Sequence, residues 1–192
     1  MLALMERFEV VLARHGETEW SRTLRHTGRT DIALTHAGRH EAESLRERLA
    51  MRDFQRVLAS PLERALDTAR LAGLGDRAER RDELLEFDYG EYEGLTTAEI
   101  RETVPGWTVW THGSKGGEDP AQVGARLDPV VAELREASGE VAVFAHGHVL
   151  RVLAARWIEQ PAELGARLAL DTGTLSVLGW ERETPVVRGW NC

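Results

Sequence analysis

Short apolar runs alternate along the chain with longer stretches in which apolar residues recur at helical spacing. The runs 10–13, 57–59 and 141–145 are too short for helices and contain only Val, Leu, Ala and Phe. Runs of this kind, without polar alternation, are typical of strands buried on both faces of a parallel sheet. Two later runs, 175–180 and 186–187, predict further strands, which we place at an edge. The pattern predicts one α/β domain.

Helix signals lie between these runs. Thr35 predicts the N-cap of a helix that extends to about residue 51. Residues 60–63 read Ser-Pro-Leu-Glu, which combines an N-cap, a proline for the first helical position and a capping-box glutamate. They predict a helix that Gly73 ends. Asp119 starts another helix, in which Pro129 predicts a kink or a break.

Composition narrows the function classes. The 192 residues carry a net charge of −8, which argues against general binding to nucleic acid or an anionic membrane. The only cysteine is Cys192, so a disulfide framework and a cysteine zinc site are excluded. Residues 1–10 lack the basic leader of a signal peptide, and no apolar stretch is long enough to span a membrane. We expect a cytoplasmic protein with a single domain over residues 1–192; the sequence leaves a homodimer open.

Candidate chemistry follows three of the predicted strands. Residues 14–16 are Arg-His-Gly, Arg64 lies in the first turn of the helix after the second strand, and residues 146–148 are His-Gly-His. Consecutive ends of parallel strands meet at one edge of the sheet, where ligands bind. Two arginines and two histidines there suit a phosphoryl group, because guanidinium forks match phosphate oxygens and an imidazole nitrogen can attack phosphorus. Each group alone is equally consistent with ordinary turn and surface residues.

Five blocks of the sequence together resemble the histidine phosphatase superfamily, which includes the cofactor-dependent phosphoglycerate mutases and many acid and sugar-phosphate phosphatases. The blocks follow the family's order over nearly the whole chain. The resemblance implies a three-layer α/β/α sandwich with a mostly parallel central sheet, of the phosphoglycerate mutase-like type. The blocks are LARHGETEWS (12–21), HTGRTDIALTHAG (26–38), SPLERALDTA (60–69), LLEFDYGEYEG (84–94) and FAHGHVLRVL (144–153).

The resemblance also implies a role for individual residues. His15 would be the nucleophile that becomes phosphohistidine, with Arg14, Arg64 and His146 around the phosphoryl oxygens. Glu86 would protonate the leaving oxygen from a partly apolar setting and later activate water. We expect His146 to act as a cation and His15 to be neutral. The residues expected to bind substrate are Ser21, Thr27, Gly28, Tyr89, Trp107, Trp110 and Gly147, with the two tryptophans as pocket cover.

The sequence favours hydrolysis over phosphoryl transfer. Mutases of the family have an arginine directly after the catalytic acid, where this chain has Phe87, and their paired arginines have no convincing counterpart between residues 94 and 141. The chain most resembles the branch with mycobacterial-type acid phosphatases and fungal sedoheptulose-1,7-bisphosphatases. We expect a phosphatase for small phosphorylated metabolites, above all sugar phosphates, that needs no metal or cofactor and has a lid-like insertion around 88–118.

Two alternatives remain open at this stage. A cofactor-dependent phosphoglycerate mutase is the first, and a non-catalytic protein that binds a phosphorylated ligand is the second. The spacing of His146 and His148 also permits metal binding, although orientation of the loop is the interpretation we favour.

Overall fold

A six-stranded sheet forms the centre of the computed structural model, which describes residues 8–192. The strand order is β3-β2-β4-β1-β5-β6; the first four are parallel, β5 is antiparallel to β1, and β6 is antiparallel to β5. The expectation of no signal peptide concerns in part residues 1–7, which lie outside the described residues. The strands are β1 Val10–Arg14, β2 Phe54–Ala59, β3 Ala78–Arg80, β4 Glu140–Ala145, β5 Leu175–Glu181 and β6 Thr184–Gly189.

Helices cover both faces of the sheet. The helices α2 and α3 pack on one face and α6 and α7 on the other, and each face has its own buried apolar cluster. The side chains of β1 alternate between the two clusters, Val10 in one and Val11 in the other, as period-two geometry requires. The predicted three-layer sandwich is therefore confirmed. The α-helices are α1 Glu19–Arg22, α2 His36–Leu49, α3 Glu63–Leu71, α4 Thr97–Thr103, α5 Val109–His112, α6 Pro120–Arg135 and α7 Gly147–Trp157, and 3₁₀ turns span Gly75–Arg77, Asp82–Leu84, Gly90–Tyr92 and Ala162–Arg167.

Three predictions about these elements are wrong in detail. α3 begins at Glu63 with Leu62 at the N-cap, because the Glu63 amide, which Ser60 would cap, donates to the Asp31 carboxylate at 2.9 Å. The Ser60 hydroxyl oxygen accepts only a long bond of 3.4 Å from the Leu62 amide and also contacts the His146 ring. α6 runs unbroken through Pro129, so the predicted break is wrong, while a kink there stays a prediction; the exposed position of Pro129 leaves the unpaired carbonyl four residues earlier within reach of water. β5 is an inner strand, since β6 covers it, and the short strand β3 gave no apolar signal.

The segment 88–118 begins and ends at the same place in the fold, because its two ends are hydrogen-bonded to each other. The Glu118 amide donates to the Asp88 carbonyl at 2.8 Å, and the Glu91 amide donates to the Lys115 carbonyl at 2.9 Å. This segment, which we call the 88–118 excursion, contains α4 and α5. Its closed base is compatible with the predicted lid-like insertion, and a lid function stays a prediction.

Two glycines let the loop after β1 pack against the start of α2. A Cβ at Gly38 would lie 2.1 Å from the Glu17 carbonyl oxygen, and one at Gly16 would lie 2.1 Å from the Gly38 carbonyl oxygen. Both distances are far below contact distance, and in each case the obstacle is backbone. The approach of these two backbones fixes the loop that carries His15.

We expect Gly38→Ala to lower the free energy of unfolding by about 2–3 kcal/mol, because the new methyl group pushes the two backbones apart. Urea denaturation measures the change. Gly124→Ala is the matched control inside another helix, where the added Cβ would be 3.3 Å from the Ala162 Cβ and gains helix propensity. Equal effects of the two substitutions would contradict the packing argument.

Candidate active site

A cavity of about 720 Å³ opens beyond the carboxyl ends of β1 and β4. Seven of the twelve residues predicted for the site line it, whereas five do not. Those that line it are Arg14, His15, Ser21, Thr27, Glu86, Tyr89 and Gly147. Those that do not are Arg64, His146, Gly28, Trp107 and Trp110.

The pairing of β1 with β4 brings the two predicted histidines together. Arg14 is opposite Ala145 in the parallel register, so the next residues, His15 and His146, leave the sheet side by side. Their ring centroids are 5.2 Å apart, and they are 4% and 0% exposed. The sequence places them 131 positions apart, and the register of two neighbouring strands is what brings them together.

The hydrogen bonds of His15 leave one ring nitrogen free. Its Nδ1 lies 2.8 Å from the Gly16 carbonyl oxygen, which can only accept, so Nδ1 carries the proton. Burial, with the charges of Arg64 and Arg14, lowers the pKa of His15 well below its usual range. The ring is therefore neutral, as expected, and its Nε2 lone pair is available for attack.

His146 is neutral as well, and the expectation that it acts as a cation is wrong for this structure. The Arg64 Nε donates to His146 Nδ1 at 3.0 Å, so that nitrogen holds no proton, and Nε2 lies 2.7 Å from the Ser60 hydroxyl oxygen. Burial lowers the pKa of His146 well below its usual range, and the charge of Arg64 adds to this effect. A buried imidazole beside a guanidinium group cannot hold a second positive charge at low cost.

Arg64 is fully buried, and protein groups occupy most of its N–H donors. Its Nη1 donates to the Thr30 carbonyl at 2.9 Å, and its Nη2 donates to the Thr27 and Gly28 carbonyls at 3.2 and 2.9 Å. Arg64 therefore ties the 27–30 loop to His146. Its predicted contact with phosphoryl oxygens stays a prediction.

Some N–H groups of Arg14 are not hydrogen-bonded within residues 8–192. Its Nη1 donates to the Leu170 carbonyl, and its Nε is buried without a partner among residues 8–192. The guanidinium packs against the backbone of Gly147, where a Cβ would lie 3.2 Å from the Arg14 Cζ. A guanidinium with an unpaired N–H at the wall of a cavity suits an anionic ligand.

Glu86 caps the start of α7. Its Oε1 accepts from the amides of Phe87 and Val149 at 3.0 and 2.9 Å, and its Oε2 accepts from the amide of His148 at 2.9 Å. The predicted apolar setting is therefore only part of its surroundings. These backbone donors hold the carboxyl at the wall of the cavity that it shares with His15.

The predicted pocket-cover tryptophans do not cover the pocket. Trp107 is 1% exposed, belongs to the apolar core and donates through its indole N–H to the Gly113 carbonyl. Trp110 is half-buried and packs beside the cavity wall, with the Arg151 guanidinium 4.6 Å from its ring centroid. The predicted Gly28 amide is also occupied, because it donates to the Glu93 carboxylate.

Sequence reasoning missed several residues that line the cavity. Arg151 and His148 lie three residues apart on α7, next to Gly147, and this helical spacing was the signal that could have found Arg151. Arg25 and His26 line the cavity from the loop after α1, and Arg101 lines it from α4. No periodic pattern marks their orientation.

Within residues 8–192, no three His, Cys, Asp or Glu side chains are grouped as metal ligands, and no helix is long and apolar enough to cross a membrane. The expectation of a reaction without metal or cofactor stays a prediction.

Comparison with known proteins identifies the family. Residues 10–192 match the family model of the histidine phosphatase superfamily, branch 1. The chain belongs to this superfamily. The fold agrees with that of a solved structure, an open reading frame product from Mycobacterium tuberculosis. The two superimpose with a TM-score of 0.91 at 42% identity, and the match covers 96% of this chain and 97% of that one.

Among the relatives of this histidine phosphatase, two carry phosphatase names and a third carries a mutase name. It is 45% identical to an acid phosphatase of Mycobacterium tuberculosis, over 90% of this chain and 86% of the relative. It is 34% identical to sedoheptulose 1,7-bisphosphatase of Saccharomyces cerevisiae, over 77% of this chain and 66% of that protein. A 2,3-bisphosphoglycerate-dependent phosphoglycerate mutase 2 of Gloeobacter violaceus is 36% identical over 75% of this chain and 73% of its own.

The half-buried His26 of the cavity makes stability depend on pH. Burial lowers the pKa of His26 to about 4, whereas a histidine in an unfolded chain titrates near 6.5. Between these values the unfolded state binds more protons, so the free energy of unfolding falls as the pH is lowered. We expect His26→Gln to make this decline shallower in urea denaturations from about pH 7 to pH 5. The exposed His112→Gln is the control, and an unchanged slope in His26→Gln would contradict the assignment.

Proposed function

We propose that this protein hydrolyses phosphomonoesters of small metabolites, sugar phosphates in particular, through a phosphohistidine at His15. The observation that carries the proposal is the neutral His15 with a free Nε2, in one cavity with the guanidinium group of Arg14 and the carboxyl of Glu86. Nucleophile, cation and acid are the three groups that phosphoryl transfer to a histidine requires.

In the first step, His15 Nε2 attacks phosphorus and the ester P–O bond breaks. The leaving oxygen takes a proton from Glu86, and Arg14 stabilises the charge on the phosphoryl oxygens. In the second step, water attacks the phosphohistidine, Glu86 accepts a proton from it, and the P–N bond breaks. Inorganic phosphate leaves, and His15 is neutral again.

The buried groups behind His15 keep a positive charge close to the site. Arg64 donates to His146 Nδ1 at 3.0 Å, and its ion pair with Asp31 is long, at 4.0 Å. His146 stays neutral in this proposal, and the charge of Arg64 helps to attract an anionic substrate to His15.

Hydrolysis is supported by the phosphatase names of two relatives and by the buried Phe87, which stands where mutases of the family have arginine. The name of the yeast relative supports sugar phosphates as the substrate class. The second candidate is a phosphoglycerate mutase, which the Gloeobacter relative and the cavity position of Arg101 favour. A cytoplasmic location and a homodimer remain predictions of the sequence.

The test is a panel of phosphomonoesters assayed for inorganic phosphate, with 3-phosphoglycerate plus its bisphosphate cofactor in a parallel arm. Rapid phosphate release without isomer exchange supports the proposal, and the same rate in a strong chelator supports its independence from metal. Isomer exchange with slow phosphate release would replace it by the mutase. Tight binding without turnover of any ester would leave only a binding protein.

A further inference from the structure

The half-buried His148 and the buried Tyr89 form a hydrogen-bonded pair that the proposed chemistry does not use. The Tyr89 hydroxyl oxygen lies 2.5 Å from His148 Nδ1, and Tyr89 is 1% exposed. His148 is the second residue of α7, and Tyr89 comes from the base of the 88–118 excursion. Both residues line the cavity that contains His15.

The pair fixes which nitrogen of His148 holds the proton. No other acceptor among residues 8–192 hydrogen-bonds the Tyr89 hydroxyl, so its proton goes to His148 Nδ1. Burial raises the pKa of Tyr89 well above its usual range and lowers the pKa of His148 well below its own, which keeps both neutral. The proton of a neutral ring that accepts at Nδ1 is on Nε2.

The Nε2–H of His148 has no partner in the described part of the chain, and the ring cannot easily turn away. Trp110 packs against it edge-on at a centroid distance of 5.2 Å, and Phe87 does so at 5.8 Å. The backbone amide of the same residue donates to Glu86 Oε2. His148 therefore binds the Glu86 carboxylate through its backbone amide and keeps its side-chain Nε2–H available for another partner.

We propose that His148 determines specificity by donating its Nε2–H to an uncharged oxygen of the substrate, next to the ester oxygen that Glu86 protonates. Tyr89 is a positioning residue, since it acts on the substrate only through the tautomer of His148. The ligand class is a phosphorylated polyol or sugar with a hydroxyl near the ester. A site built to hydrogen-bond a hydroxyl discriminates against the analogue that lacks it. This inference rests on the proposed phosphatase activity.

The experiment compares glycerol 1-phosphate with propyl phosphate, which have the same chain length but differ in their hydroxyl groups. The ratio of the two kcat/KM values is measured in the wild type and in His148→Phe, His148→Gln and Tyr89→Phe. Differences in intrinsic ester reactivity cancel between enzymes. We expect the ratio to fall about tenfold in His148→Phe, to be mostly retained in His148→Gln, which keeps an N–H donor, and to fall by less in Tyr89→Phe.

A second measurement does not depend on turnover, and its decisive result comes from the wild type alone. Imidazole ¹⁵N NMR of the wild type reports which nitrogen of His148 is protonated. Protonation at Nε2, with both tautomers populated in Tyr89→Phe, supports the inference; protonation at Nδ1 in the wild type overturns it. An unchanged kcat/KM ratio in His148→Phe also overturns it and leaves the phosphatase intact. Failure of the wild type to release phosphate from any ester of the panel would overturn the proposed function, and this inference with it.

Discussion

His15→Ala is expected to lower kcat for every phosphomonoester by at least about 10⁴-fold, because no phosphoenzyme can form without its imidazole. The cavity offers no replacement at the same place, since the Nε2 of His146 is bonded to Ser60 and its Nδ1 accepts from Arg64. Steady-state phosphate release measures the loss. His112→Ala is the control, because His112 is exposed and does not line the cavity.

A direct observation of the intermediate accompanies this variant. Rapid quenching at high pH followed by mass spectrometry should locate a phosphate on His15 in the wild type and none in His15→Ala. Near-normal turnover of His15→Ala, or a phosphate found on another residue, would end the mechanism.

Glu86→Gln has the second-largest expected effect, and its size depends on the leaving group. Alkyl phosphates should lose about 10²–10⁴-fold in kcat/KM, which reports the steps up to departure of the leaving group, because their leaving oxygen needs a proton that glutamine cannot give. The kcat/KM for p-nitrophenyl phosphate should fall much less, since its phenolate leaves without a proton. The kcat/KM values of the two classes of ester, measured side by side, give the result; kcat also contains the attack of water, in which Glu86 acts on every ester alike.

The same substitution has a structural cost that must be separated from catalysis. Three backbone amides donate to the Glu86 carboxylate, and a glutamine amide would turn an N–H group toward at least one of them. A loss of about 1–3 kcal/mol in the free energy of unfolding is expected. Glu93→Gln is the matched control: the Glu93 carboxylate also accepts from two backbone amides, those of Gly28 and Thr30, but Glu93 does not line the cavity. An effect of Glu86→Gln that is equal for both classes of ester would contradict its role as the acid.

Sequence patterns sufficed for those features that depend on short stretches. The apolar runs ending before Arg14 and His146 gave the parallel strands, and parallel strands necessarily bring their ends to one edge. Thr35 and Asp119 cap their helices as their local sequences indicate. At Ser60 the equally clear local signal failed, because the Glu63 amide that it would cap donates to the carboxylate of Asp31, a residue from another segment.

Features that depend on tertiary surroundings could not be predicted from the sequence. The charge state of His146 depends on its burial and on the direction in which Arg64 points its Nε. Trp107 had a pattern equally suited to a lid and to the core, and only packing places it in the core. The Tyr89–His148 pair joins two segments whose proximity no local pattern indicates.

The joined base of the 88–118 excursion has a consequence for how this enzyme can diversify. Because the Glu118 amide and the Asp88 carbonyl hold the two ends together, the exposed part of this segment can change in length at little cost to the sheet, provided that its core residues, such as Trp107, are kept. Evolution or protein engineering could replace this exposed part while His15, Arg14 and Glu86 stay in place. New selectivities would then arise by replacing one piece of chain.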